Sequence, residues 1–395
     1  MEIAAKIILS KGRDEAVRRF HPWVFSGAIS RAEGKPVDGD MVEVCDYQGN
    51  TLGYGHACSG SIAVKLFSFG ETRPGDDFWY RKLSACYQLR KDTGFTGNHQ
   101  SNAYRLVFSE GDGLPGLIVD YYNGVAVLQA HSTGMYLNRM HLAEALKRLY
   151  GSGLKAIYDK SAEALGKSGA YSEGDGFLYG EESVAEILEN GHRFQIDFIN
   201  GQKTGFFLDQ RDNRAMLGRF AHGRKVLNAF CYTGGFSVYA LAAGAVHVTS
   251  LDSSRKAINT LEANLSLNGL EAERHESVVD DAKTYLTGMP EDFDLIVLDP
   301  PAFAKRHADR HKALQGYRYI NAAAMKKIKP GGFLFTFSCS QAMNREMFIS
   351  MAMSAAMESG RDVRIIHHLG HSADHPVSIF HPEGEYLKGL VLRVE

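Results

Sequence analysis

Long apolar stretches are missing from this chain of 395 residues. None approaches the roughly 18 residues that a bilayer-spanning helix requires. The start, Met1-Glu2-Ile3-Ala4-Ala5-Lys6, leads into an apolar stretch too short for a secretory leader. The expectation is therefore a cytoplasmic chain with no membrane partner. Cysteine is sparse as well. Cys45, Cys58, Cys86, Cys231 and Cys339 never form a C-x-x-C pair, which argues against a thiolate zinc site and against a disulfide framework. No metal is expected, and any important cysteine would act alone. An excess of one charge is also lacking: 44 Lys and Arg stand against 46 Asp and Glu, a formal charge of −2. Repeats and low-complexity tracts are absent. With 44% hydrophobic and 23% charged residues the composition excludes disorder, and at about 150 residues per domain the length accommodates two or three domains.

Three textures follow one another along the chain. Residues 1–72 carry short alternating runs such as Met41-Val42-Glu43-Val44 and Ile62-Ala63-Val64-Lys65-Leu66-Phe67, cut by glycines at 49, 53 and 60. A period of two between turn residues predicts a small β-barrel or sheet. Residues 73–190 combine a helical stretch near Arg81 to Lys91 with a turn, Gly111-Asp112-Gly113-Leu114-Pro115-Gly116, and two strands, Leu117 to Asp120 and Val125 to Gln129. An α+β domain is expected there, with the Gly-rich stretch from Gly166 to Gly180 as loop or linker. From 191 to 395, apolar β-type runs alternate with helical patterns, as a mainly parallel sheet requires. The candidate strands are Val226 to Phe230, Val246 to Leu251, Asp294 to Leu298 and Phe333 to Phe337.

The first of these runs straight into Cys231-Tyr232-Thr233-Gly234-Gly235-Phe236 and a helical Ser237 to Ala243. Glycines at a strand-to-helix turn let backbone approach a ligand and offer it free N–H groups. Asp252 ends the next strand, where a carboxylate can accept from both hydroxyls of a ribose. One of Asp280 and Asp281 falls where a third strand end could meet an adenine amino group. The glycine spacing is not G-x-G-x-x-G, and a Gly-Gly pair also serves as a plain tight turn. S-adenosylmethionine and NAD fit these acids equally well.

The following strand ends in Asp299-Pro300-Pro301-Ala302-Phe303. Two prolines there make a rigid lip that lacks N–H donors and leaves carbonyls free to grip a base edge. The last candidate strand ends in Ser338-Cys339-Ser340, which puts Cys339 at the same crevice as Asp299. A thiolate suits addition to a pyrimidine ring carbon, being soft and accessible near neutral pH when positive charge surrounds it. In isolation such a cysteine is as easily a small buried hydrophobe. Beyond the lip, Lys305, Arg306, Arg310, Lys312, Arg318, Lys326, Lys327 and Lys329 face the single acid Asp309. Interleaved Tyr317 and Tyr319 make this run suited to phosphate neutralisation with base stacking.

These motifs together resemble the S-adenosylmethionine-dependent 23S ribosomal RNA cytosine-C5 methyltransferases. The residues that carry the resemblance are Phe230 to Phe236, Asp299 to Phe303 and Phe337 to Ser340, joined by His21 to Ile29, Ser109 to Gly116, Lys203 to Arg211 and Tyr386 to Gly389. It spans essentially the whole chain. The resemblance implies an α/β Rossmann-like class I methyltransferase domain over 191–395, preceded by an N-terminal β-barrel PUA domain, an RNA-binding module, over 1–72 and a small α+β central domain over 73–190. It implies S-adenosyl-L-methionine as cofactor, bordered by Asp209, Gln210, Arg211, Phe230, Tyr232, Thr233, Gly234, Gly235, Asp252, Asp280, Asp281 and Asp299. Read from the residues alone, Asp209-Gln210-Arg211 is equally a helix start with paired charges. Cys339 and Asp299 would be catalytic, and Pro300, Pro301, Phe303, Lys305, Arg306 and Arg310 would meet RNA. The partner implied is 23S ribosomal RNA, with a homodimer left open.

In that chemistry Cys339 adds to C6 of an unpaired or flipped cytosine, C5 takes the methyl group and 5-methylcytosine results. Many RNA cytosine-C5 methyltransferases carry a second cysteine just after the proline of this motif, whereas this chain has Asp299-Pro300-Pro301-Ala302. The group that helps to release product is thus not given by the sequence. Two rivals remain: methylation of an exocyclic amine (adenine N6 or guanine N2) with Phe303 stacking on the base, and a non-catalytic RNA-binding assembly factor that retains the fold. A dehydrogenase is the weakest alternative, because no His-Asp pair suggests hydride transfer.

Overall fold

The structure, a computed structural model, describes residues 2–166, 174–270, 272–304 and 309–395. Two compact units are present. One comprises Met1–Ile187, Ile196–Phe206 and Ala373–Gly384; the other comprises Leu188–Gln195, Phe207–Ser372 and Glu385–Glu395.

The first unit opens with β1 (Ala5–Leu9), α1 (Glu15–Arg18), β2 (Trp23–Phe25), β3 (Ile29–Glu33), β4 (Met41–Cys45), β5 (Thr51–Ala57) and β6 (Ile62–Phe69). These strands form one six-stranded sheet in the order β2-β6-β5-β4-β1-β3. The alternation read from the sequence turns Val42, Val44, Val64 and Leu66 into a shared core. Glycine is needed on β5 because its neighbour is so close: a Cβ on Gly55 would lie 2.3 Å from the Lys65 carbonyl oxygen.

Next come α2 (Phe78–Asp92), β7 (Ala103–Phe108), β8 (Leu117–Tyr122), β9 (Val125–Ala130), α3 (Thr133–Leu137), α4 (Arg139–Tyr150), β10 (Ala156–Asp159), α5 (Ala162–Leu165) and β11 (Gly176–Tyr179). Their sheet has the order β11-β10-β9-β8-β7. Asn123 and Gly124, at φ of 48° and 103°, make the turn between β8 and β9, as a two-residue hairpin with positive φ at both centres demands. The Gly-rich stretch is not all loop: Gly176–Tyr179 pairs antiparallel with β10. Alternating Phe177 and Tyr179 outweigh the flanking glycines there, while residues 167–173 of that stretch lie outside the described ones.

A two-stranded sheet of β12 (Ala185–Glu189) and β13 (His192–Ile196) turns through Asn190-Gly191, and the chain passes from unit to unit within it. The second unit continues with α6 (Arg211–Ala221), β14 (Lys225–Ala229), α7 (Gly235–Ala242), β15 (His247–Asp252), α8 (Arg255–Leu267), β16 (His275–Val279), α9 (Ala282–Gly288), β17 (Phe293–Leu298), α10 (Arg310–Lys327), β18 (Ile328–Ser338), α11 (Arg345–Ser359), β19 (Val363–Leu369) and β20 (Lys388–Val394). The sheet runs β16-β15-β14-β17-β18-β20-β19. Its first five strands are parallel, whereas β20 is antiparallel to both neighbours. The four expected strands fall on β14, β15, β17 and β18, and the antiparallel pair completes the edge.

Successive strands step away from β14 in one direction through β15 and β16, and in the other through β17 and β18. Such a reversal opens a crevice at the carboxyl ends of the central strands, the usual ligand site of an open α/β sheet. Among the described residues no helix is long and apolar enough to cross a membrane.

Candidate active site

The turn after β14 is built by backbone conformation. Phe230 and Tyr232 take φ of 60° and 47°, and Gly234, at 82°, precedes α7. A side chain on Gly234 would be strained by that φ and would place its Cβ 2.5 Å from Leu261 Cγ. Thr233 is buried, with its carbonyl taken by Asn264 Nδ2 at 2.9 Å, and Gly235 lies against Arg214.

Asp252 ends β15 and spans two loops. Its Oδ2 accepts from Tyr232 N–H at 3.0 Å and its Oδ1 from Ser254 N–H at 2.9 Å. Each oxygen retains a lone pair for a hydroxyl. Asp280 and Asp281 follow β16 and are exposed. Asp281 caps α9, accepting from Thr284 N–H at 3.0 Å, and this bond first of all lowers its pKa. That side chain already has a structural task, and Asp280 Oδ1 in turn accepts from the Asp281 N–H at 2.7 Å.

Leu208–Gln210 is a short 3-10 turn that delivers the chain into α6. Gln210 hydrogen-bonds the Asp299 carboxyl and accepts from Asn213 Nδ2 at 2.6 Å. Asp209 Oδ2 accepts from the Tyr386 hydroxyl, while Asp209 Oδ1 is buried with no hydrogen-bond partner among the described residues. A buried acceptor without a donor is costly, and a ligand ammonium or hydroxyl would satisfy it. Arg211 points elsewhere: its Nε lies 3.4 Å from Glu189 Oε2. Glu189, fully buried, also takes a two-bond grip from Arg214, Nε to Oε1 and Nη2 to Oε2, each 2.7 Å.

Asp299 and Cys339 stand just past the carboxyl ends of the neighbouring parallel strands β17 and β18, whose register pairs Leu298 with Thr336. Burial first, then Asp209, raises the Asp299 carboxyl to about 7, against the Gln210 hydrogen bond and the Arg214 charge. Burial, Asp299 and Asp209 push the Cys339 thiol up to about 12, with Lys388 pulling the other way. The surrounding positive charge that would favour a thiolate near neutral pH is not what the site supplies. Two carboxyls and poor solvation outweigh one cation, so attack by this sulfur would need a base to take its proton.

Lys388 is the candidate for that base, and sequence reasoning gave it no role. It opens β20 opposite Ser338, is 2% exposed, and donates from Nζ to the Ser340 carbonyl at 2.7 Å. Burial brings its pKa down to about 8, with Cys339 opposing that shift. Its only sequence signal was its place in Tyr386-Leu387-Lys388-Gly389, because the strand pairing that sets it opposite Ser338 spans about 50 residues.

On the substrate side, Pro300 is buried and Pro301 exposed. Phe303 stacks on Tyr317 with ring centroids 4.5 Å apart. Tyr317 is fully buried, which corrects its expected part in base stacking: it falls on the core face of α10. Tyr319, on the outer face, is 45% exposed. The basic run is also partly neutralised. Arg318 and Lys326 reach Glu358 at 3.4 and 3.9 Å, Lys327 reaches Glu291 at 3.3 Å and Lys329 reaches Asp294 at 3.1 Å. Arg310 is exposed at the start of α10, and Lys305 and Arg306 lie outside the described residues.

Residues 170–376 match the model of the S-adenosylmethionine-dependent methyltransferase family, and residues 7–69 match that of a PUA-like domain. Ribosomal RNA large subunit methyltransferase I of Aeromonas hydrophila is 41% identical, covering 99% of this chain and 100% of that protein. The protein of the same name from Tolumonas auensis is 39% identical over the same shares. A structure from Streptococcus mutans described as a SAM-dependent methyltransferase superposes with a TM-score of 0.84 at 21% identity, over 100% of both chains. Another, described as a methyltransferase complexed with SAH, gives 0.82 at 22% identity, again over 100% of both.

Proposed function

From the premise that the chain belongs to the ribosomal RNA large subunit methyltransferase I family, a family of S-adenosylmethionine-dependent enzymes, we propose that it methylates C5 of a cytosine in 23S ribosomal RNA through a covalent Cys339–C6 adduct. The observation that supports this most is the grouping of Cys339, Asp299 and Lys388 at one end of β17, β18 and β20. A nucleophile, an acid with a pKa of about 7 and an amine whose pKa is brought down towards neutrality are what addition to a pyrimidine needs.

S-adenosylmethionine, when bound, supplies an electrophilic methyl group on a cationic sulfonium. The residues present fit it: Asp209 Oδ1 lacks a donor among the described residues, Asp252 keeps lone pairs for ribose hydroxyls, and the Tyr232–Gly235 turn brings backbone close to the crevice. Asp209 and Asp252 would hold its ammonium and ribose.

Cytosine C5 is a poor nucleophile until C6 is saturated. Lys388, as the free amine, takes the Cys339 proton while the sulfur bonds to C6. Asp299, as the neutral acid, gives its proton to N3, so no negative charge builds on the ring. C5 is then an enamine carbon able to accept a methyl group. Elimination follows as the C5 proton passes to water, Asp299 recovers the N3 proton, and Lys388 returns its proton to the departing sulfur. RNA affinity would come from the PUA-like region within residues 1–72 and from the start of α10.

Incubating the protein and S-adenosylmethionine with RNA that carries 5-fluorocytosine tests the route. The fluorine cannot leave as a cation, so wild-type protein should accumulate a stable protein–RNA adduct, and Cys339→Ala should give none while keeping cofactor affinity within a few fold. Methylation of ordinary RNA without any trapped adduct would exclude the covalent route and favour an exocyclic amine as target.

A further inference from the structure

The scarcity of cysteine argues against a thiolate zinc site but is silent on imidazole, and the first unit holds an imidazole cluster to which no chemical role has been given. His381 and Glu383 flank Pro382 in the segment Ala373–Gly384, and His21 stands just ahead of β2. One ligand atom from each of His21, His381 and Glu383 lies within 4.8 Å of the other two.

A second observation points to a ligand. The His381 side chain is 4% exposed, and both of its ring nitrogens are buried without a hydrogen-bond partner among the described residues. An imidazole has one donor and one acceptor to satisfy, and leaving both orphaned in the interior costs free energy. The ring is fixed in that state: Trp23 packs edge-on at 4.4 Å between centroids, and Trp23 is in turn held by its Nε1–H to Glu110 Oε1 at 2.9 Å. His381 Nε2 faces Glu383 Oε2 at 3.9 Å, beyond hydrogen-bond reach.

We propose that His21, His381 and Glu383 form a binding site for a divalent transition-metal ion of the zinc type. Two imidazoles and one carboxylate are a usual donor set for zinc, and leave a fourth position for water. His21 is suited to it. Pro22 restricts it to extended backbone, and its Nδ1 accepts from the Trp23 N–H at 3.2 Å and lies 3.4 Å from the Trp23 carbonyl. Loading the ion on Nε2 requires the other tautomer, in which Nδ1–H donates to the Trp23 carbonyl instead, the outer-shell arrangement common for metal-bound histidine. Glu110 and Glu383 supply the negative charge that a cation needs. Tetrahedral coordination at about 2.1 Å sets donor atoms about 3.4 Å apart, so the cluster must contract; Glu383, 58% exposed, is free to move inward. The ion would staple the segment Ala373–Gly384 to the start of β2, both within the first unit.

Titrating the chelator-stripped full chain with zinc chloride, followed by calorimetry and by the zinc content retained after gel filtration, tests this. Wild-type protein should bind one saturable equivalent and melt at a higher temperature with zinc than without. His381→Ala should abolish that equivalent. Glu383→Gln, a surface change that leaves the metal-free melting temperature unaltered, should weaken it at least tenfold. Absence of a saturable equivalent in wild type, or equal affinity in wild type and Glu383→Gln, overturns the proposal.

Discussion

Lys388 Nζ donates to the Ser340 carbonyl oxygen at 2.7 Å, which anchors a buried amine one residue along the chain from the Cys339 thiol. The anchor fixes where the amine can take or return a proton. On the proposed reading it also sets the pH response.

Addition needs Lys388 as free amine and Asp299 as neutral acid. The amine form grows as pH rises through about 8, and the acid form is lost as pH rises through about 7. The product of the two fractions peaks between these values, so kcat/KM should follow a bell with its maximum between pH 7 and 8. Lys388→Met should lower kcat at least a hundredfold and remove the acidic limb; Asp299→Asn should remove the alkaline limb. A profile flat from pH 6 to 9 would contradict both roles.

Asp209→Asn should weaken binding of S-adenosylhomocysteine or S-adenosylmethionine about tenfold, near 1.4 kcal/mol, because it turns the partnerless Oδ1 acceptor into half of an amide. Calorimetry reads the change directly. A melting temperature within a few degrees of wild type would separate lost binding from lost fold.

Glu189→Ala should destabilise the second unit by about 3–5 kcal/mol, since it strands Arg214 and Arg211 in the interior without their carboxylate. Urea unfolding would measure it. Replacing Glu189 by Gln should restore part of the loss through its remaining hydrogen bonds.

Arg310→Glu should weaken RNA binding and reduce the slope of log affinity against log salt by about one or more. Lys329→Glu should do so far less, as that ammonium is already 3.1 Å from Asp294. Equal salt slopes for wild type and Arg310→Glu would take the start of α10 out of the RNA interface.

Much of the site was readable because the relevant signals are local. The apolar runs of β14, β15, β17 and β18 each lead into a candidate residue, and a strand followed by a turn places that residue at the carboxyl edge of a parallel sheet whatever else the fold does. Tyr317 and Tyr319 illustrate the limit. Two positions apart on a helix, they face nearly opposite sides, and the charge run around them did not reveal which side α10 would bury. The same run looked uniformly basic until Glu291, Asp294 and Glu358, from other elements, came to lie beside it.

The sequence by itself determined the alternation of strand and helix, the glycine turn after β14, and the placing of Asp252, Asp299 and Cys339 at strand ends, since backbone propensity and hydrophobic period act over a few residues. Tertiary structure alone decided the protonation of the site. It brought Lys388 to the Ser340 carbonyl, Asp209 beside Tyr386 and Glu189 beside Arg214 from positions 25 to 177 residues apart, and the pKa of a buried group depends on solvation and on neighbouring charges in space, neither of which is written in chain order.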